Sequence, residues 1–275
     1  MRCGLSLLSG PAKLSFWRLH TDYSSAMAWR LLTFLAPALL VACSSFGDDG
    51  APVVDEGHLR VMVLPLADFG PEYAASTPDP DSGERRAAAI VEASADPGDE
   101  AEDVSRFGPV LRYVAAYSSN EAIVRGRGAA YLASSVTLYQ DARGAAGDLA
   151  DQLLDLQRNV SGTTQLGSLQ SFERFEVGLA ERAYGVSARL LTPGSIFGLR
   201  SSVTLTITAV VLQRGPLVGQ VLLMRLDADD VRAEVTELGR RLDRRIATVL
   251  AGGVPEPAEP SAPVASDASP PRSLP

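Results

Sequence analysis

Four residue types are nearly missing from this chain of 275 residues: two cysteines (Cys3, Cys43), two histidines (His20, His58), two tryptophans (Trp17, Trp29) and a single lysine, Lys13. Past Cys43, only His58 of these remains. A region without cysteine forms no internal disulfide, so whatever folds there is held by its core. One histidine and no cysteine exclude a zinc site built from those ligands, and a lone His58 at the tether boundary argues against a Ser-His-Asp triad. Without lysine there is no glycine-rich phosphate loop of the GxxxxGK kind. All downstream basic charge is arginine, as the codon usage of a GC-rich genome favours.

Basic surplus is missing too. Lys and Arg number 25 against 33 Asp and Glu, a formal charge of −8. Setting aside the residues before Cys43 removes Arg2, Lys13, Arg18, Arg30 and Asp22 and leaves 21 against 32, or −11. That excludes a nucleic-acid partner, which needs a basic footprint. What is there is ordinary globular material, 46% hydrophobic and 21% charged, enough for one core and far from a disordered or multi-span chain. No internal repeat is evident.

From Met27 the chain reads Met-Ala-Trp-Arg, then an apolar run from Leu31 to Ala42, then Cys43-Ser44-Ser45. A short positive start, an apolar stretch and small residues before a cleavage point are the three parts of a secretory signal. The run is too short to span a bilayer, which needs about 20 residues. Leu40-Val41-Ala42-Cys43 resembles the lipobox of bacterial lipoproteins. The resemblance implies cleavage before Cys43 and lipid on its sulfur, because only a thiol forms the thioether to a diacylglyceryl group. Two or three acyl chains, at about 0.8 kcal/mol per buried methylene, then give stable attachment. The expected organisation is a leader over 1–42 with the true start at Met27, a lipidated tether over 43–57, one domain over 58–251, and a disordered tail rich in proline, alanine and serine over 252–275.

The body has the pattern of an α+β domain. Leu59 to Leu66 fits a strand or a short helix. Thr77 to Gly83 and Ser94 to Ser105 read as acidic loops, and Glu84 to Ala93 as a helix. Val110–Tyr117 and Tyr131–Tyr139 alternate as antiparallel strands. A helix follows from Asp141 to about Arg158 on a stripe that includes Ala145, Leu149 and Leu153. Phe172–Leu179, Ala183–Leu191, Val203–Gln213 and Leu217–Leu226 are four more strands, the last two joined at Arg214-Gly215-Pro216. A terminal helix begins with Asp227, Asp229 and Asp230 and carries Val231, Val235, Leu238, Leu242, Ile246 and Val249 on one stripe. The expected fold is an antiparallel sheet of five to six strands with an internal helix and a C-terminal amphipathic helix packed on it. From Val110 to Leu250 the layout resembles extracytoplasmic lipoprotein and sensor domains with a PsbP-like or similar sheet. It rests on a tyrosine-rich hairpin, a helix after Tyr139, the Arg214-Gly215 turn and a terminal helix through Leu242-Asp243-Arg244-Arg245-Ile246. The resemblance implies a binding or accessory module and brings no catalytic motif with it.

Chemistry-bearing constellations are few. Asp79-Pro80-Asp81-Ser82-Gly83-Glu84 has oxygen ligands but lacks the spacing and distal glutamate of a calcium loop, and reads as a solvated loop. Gly194-Ser195-Ile196-Phe197-Gly198 lacks the spacing of a nucleophile elbow. Glu173 and Glu176 would face opposite ways on a strand, unlike a glycosidase pair. Asn159-Val160-Ser161 matches a glycosylation sequon by accident of sequence. No metal and no cofactor is expected. The best candidate for a ligand-facing surface is a tyrosine set, Tyr113, Tyr117, Tyr131 and Tyr139, and its bland reading is core packing. The candidate basic surface is Arg240, Arg241, Arg244 and Arg245, which either complement the helix dipole or touch anionic lipid heads or an acidic partner. The expected function is a membrane-anchored, extracytoplasmic, noncatalytic binding or accessory domain whose partners are membrane lipid through Cys43 and a small ligand or envelope protein. The alternatives are a secreted carboxylate-dependent hydrolase and a purely structural envelope protein.

Overall fold

The computed structural model describes residues 54–93, 97–159, 163–164, 167–226 and 230–255. Cys43, the leader, most of the tether and most of the tail lie outside the described residues, as do Asp227 and Asp229.

Of the Leu59–Leu66 stretch, Leu59–Met62 is helix, Val63–Pro65 breaks it, and Leu66 opens a second, one-turn helix. Asp55 caps α1 (Glu56–Met62) by accepting from the His58 backbone N–H at 3.0 Å, and the His58 ring returns the contact to the Asp55 backbone. This reciprocal box satisfies two otherwise orphaned amides. His58 is thereby occupied with capping. A one-turn helix, α2 (Leu66–Phe69), and a 3-10 turn over Pro71–Tyr73 follow.

The sheet has nine strands among the described residues, all antiparallel, in the order β1-β3-β4-β9-β8-β7-β6-β5 with β2 also on β3. Six are long: β3 (Pro109–Ser118), β4 (Ala129–Tyr139), β6 (Gly167–Glu176), β7 (Arg182–Thr192), β8 (Val203–Arg214) and β9 (Leu217–Arg225). Five of them match the expected strands, whereas β6 overlaps the expected Phe172–Leu179 only over Phe172–Glu176, because it pairs with β7 from Ser168 to Glu176. The surplus is three short edge pieces, β1 (Thr77–Pro78), β2 (Gly83–Arg86) and β5 (Thr163–Thr164). After β4 the chain crosses one face in α6 (Ala142–Asn159), reaches the far edge and meanders back through β6, β7 and β8, so that β9 closes the sheet beside β4.

Helices cover both faces, which explains why β8 and β9 are apolar almost throughout. On one face lie α1, α2 and α7 (Arg232–Leu250), whose whole expected stripe, Val231, Val235, Leu238, Leu242, Ile246 and Val249, is buried with Leu212, Leu217, Val221 and Leu223. Each such side chain contributes roughly 1.5–3 kcal/mol relative to exposure. On the other face, Ala145 and Leu149 of α6 pack on Ile207, Ala209, Val211, Val218 and Leu222.

Two readings are corrected. Residues read as the loop Ser94–Ser105 include α4 (Pro97–Phe107), which packs on α6. The helix read over Glu84–Ala93 begins only at α3 (Ala87–Ala93), because Glu84 to Arg86 pair with β3 as β2. A short helix not foreseen, α5 (Asn120–Arg125), joins β3 to β4. Among the described residues, no helix is long and apolar enough to cross a membrane.

Candidate functional site

A cleft of about 340 Å³ opens at the end of the sheet where β3 stops and β4 starts. That lies at the lower end of the range of ~300–1,000 Å³ that small-molecule sites occupy. Local sequence builds it. Ser119 ends β3 and caps α5, its Oγ accepting from the Ala122 N–H at 3.3 Å. Gly126 ends α5 with φ 64°, a left-handed conformation in which a side chain is strained. The tight return sets Arg125 and Arg127 beside Gly128, whose carbonyl accepts from the Leu226 N–H at 2.9 Å and so draws the end of β9 alongside. Arg225, the last residue of β9, supplies the third guanidinium of the lining.

The remaining wall is the 3-10 turn with Glu72 and Tyr73, followed by Ser76. The Tyr73 hydroxyl donates to Glu234 Oε1, and Glu234 Oε2 stands 4.0 Å from an Arg225 nitrogen. This chain of contacts ties the turn, β9 and the first turn of α7 together behind the cleft. Burial is the main reason the Glu234 carboxyl titrates above its ordinary value, and burial followed by the Glu234 hydrogen bond pushes the Tyr73 phenol up. Along α5, Arg125 pairs with Glu121 at 2.5 Å. Among the described residues Arg127 and Glu72 have no ion-pair or hydrogen-bond partner through their side chains.

No family model matches the chain, and no curated protein matches it. Among solved structures, the chain is similar to the extracellular domain of PknH from Mycobacterium tuberculosis, at 10% identity and a TM-score of 0.43, over 74% of this chain and 100% of that one. A likeness of that size bears on neither activity nor location.

The four tyrosines do not form one surface. Tyr113 and Tyr117 lie on the α1 side of β3, half-buried against that core, with Tyr117 edge-on to Phe69 at 6.0 Å between ring centroids. Tyr131 and Tyr139 lie on the opposite face, with the α6 core. Tyr139 is buried and donates its hydroxyl to Asp148, which also accepts from Gln152 at 2.7 Å. Beside it the buried Arg112 donates to Thr137 Oγ1 at 3.0 Å. Burial raises the Asp148 carboxyl above its usual range, and raises the phenols of Tyr131 and Tyr139 as well. The set was read as a face because strand alternation groups residues within one strand, whereas the pairing of β3 with β4 decides which groups share a side. Tyr113 sits opposite Val136, and Tyr131 opposite Ser118.

The arginine quartet divides as well. Arg240 and Arg244 are exposed and meet Glu237 at 3.2 and 3.4 Å. Arg241 and Arg245 turn onto the N-terminal segment. Arg241 donates to the Asp68 carbonyl at 2.7 Å, and Arg245 donates to the Val61 carbonyl at 2.7 Å and pairs with the buried Asp68 carboxylate at 3.2 Å. Glu173 pairs with Arg232 at 2.5 Å rather than with Glu176. Sequence reading missed the cleft. Its lining comes from residues 72–76, 119–129 and 225, and the one local signal, a serine cap and a glycine stop around Asn120–Arg125, marks a helix and not a site.

Proposed function

We propose that this chain is a lipid-anchored extracytoplasmic protein, attached through Cys43 and carrying a noncatalytic ligand-binding or accessory domain. The observation that carries the anchor is the Leu40-Val41-Ala42-Cys43 box directly after an apolar run headed by Arg30. Eleven residues separate Cys43 from the Asp55 cap of α1. At ~3.3–3.6 Å each they reach at most about 40 Å, enough to hold the body clear of lipid headgroups and too little to let it wander. Support for the binding half is the cleft, whose lining groups belong to a braced frame in which Tyr73 and Arg225 are tied to α7. The tether joins the body at α1, beside the β2 edge, where Glu56 and Glu84 meet. The cleft is built at the Ser119 end of β3 and does not include that junction.

The test is metabolic labelling of cells with a lipid precursor, comparing wild type with Cys43→Ser. Wild type takes up label and fractionates with membrane, and the variant loses both. A variant that stays equally membrane-bound beside an unlabelled wild type overturns the anchor.

A further inference from the structure

We propose that the cleft between the Pro71–Tyr73 turn, α5 and the end of β9 is a site for a small zwitterion, an amino acid or short peptide carrying both a carboxylate and an ammonium group. The inference deepens the binding half of the function proposed above and is independent of the anchor.

The argument is a charge inventory. Three arginines and two glutamates line the cleft, with Glu234 behind it. Arg125 is matched by Glu121 and Arg225 by Glu234. What is left over is one cation, Arg127, and one anion, Glu72, on the same small cavity and without side-chain partners among the described residues. A purely anionic ligand would be met by Arg127 but repelled by Glu72 and Glu121. A purely cationic one faces the reverse penalty from three guanidinium groups. A molecule bearing both charges satisfies the two leftover groups together, and the guanidinium fork suits a carboxylate in bidentate geometry. Hydroxyls of Ser76 and Tyr73 on the same wall offer polar contacts to an amide or an amine. A rigid frame helps. Tyr73 is already held by its hydrogen bond to Glu234, so that wall needs little ordering when a ligand arrives. The cleft has room for more than one amino acid, so a peptide of a few residues fits better than a free amino acid.

The test is equilibrium dialysis of the full-length chain in detergent with radiolabelled alanyl-alanine, alone and against unlabelled propionate or ethylamine, which each keep one of its two charges. Saturable binding is expected, with either competitor needed at tenfold or higher concentration than unlabelled dipeptide. Arg127→Ala and Glu72→Gln, both on exposed side chains, are each expected to weaken binding at least tenfold at an unchanged melting temperature, and Arg127→Lys by less. Cys43→Ser is expected to bind as wild type does, whatever it does to membrane attachment. Absence of saturable binding overturns the site. Propionate competing as well as the dipeptide overturns the zwitterion while keeping a binding domain, and binding indifferent to both charge variants overturns the placement in this cleft.

Discussion

Asp68 shows what one buried carboxylate does in this fold. Its carboxylate is paired with Arg245 in a setting where the two side chains are only 4% and 14% exposed, and its backbone carbonyl takes a second arginine, Arg241. Asp68→Ala leaves Arg245 buried without its counter-charge and is expected to cost about 3–5 kcal/mol, read from the urea midpoint. Asp148 behaves differently, because burial outweighs the hydrogen bonds from Tyr139 and Gln152 and the nearby Arg112 charge, so its folded carboxyl keeps its proton to a higher pH than it does in the unfolded chain. Stability contributed by this group is therefore present at low pH, declines as pH rises from its ordinary 3.8 through its raised folded value, and levels off above that. Asp148→Asn should flatten that part of the profile in urea melts run across the acid range, and an unaltered slope would sink the assignment. Neither role was legible in the sequence. Arg240, Arg241, Arg244 and Arg245 read as one basic run, and only the partner segment, more than 170 residues upstream in contact, separates the two that grip the body from the two that face water.

Elements were legible where periodicity was strong. The stripe of α7 and the alternation of β8, with Leu205, Ile207, Ala209 and Val211 to one side, could be read directly because burial enforces them. Thr206 and Thr208, which alternation turns to the reverse side of β8, are buried there, since the sheet is covered twice and Thr208 exchanges a hydrogen bond with Ser187 at 3.0 Å. The helix α4 escaped notice because Pro97-Gly98-Asp99-Glu100 has the composition of a loop, although proline is at home at the first helical position. Close approach of α7 to the sheet rests on Gly219 in β9 and Gly239 in α7. An added Cβ would lie 2.9 Å from Ile246 Cδ1 at the first and 2.7 Å from Val210 Cγ1 at the second. Gly219→Val is expected to lift the helix and destabilise the protein by about 1–3 kcal/mol, with Gly219→Ala milder because the clashing atoms are side-chain ends that can turn. Thermal melts of the two variants check the order.

At the scale of the whole molecule, the proposed cleavage before Cys43 would have a simple optical consequence. Trp17 and Trp29 both precede the cut, so protein purified from membranes should show tyrosine emission alone, whereas a sample with tryptophan emission retains the leader. The fold class and the six long strands could be anticipated from alternation and turns, but that α6 and α7 lie on opposite faces could not, because an apolar stripe shows that a helix packs and not on which side; α4 and the N-terminal helices, which add to the cover, have little sequence signal of their own. Those N-terminal helices bear on mechanics. The Val61 carbonyl and Asp68 are held by Arg245 and Arg241, so the first helices of the chain are riveted to its last, and Leu64 adds a backbone N–H to Ser134 of the sheet at 3.1 Å. A pull at the N-terminal end must therefore peel α1 and its arginine grip from α7 before it loads any strand ladder. The arginine grip of α7 on the N-terminal helices is thus the first set of contacts through which load from that end enters the body.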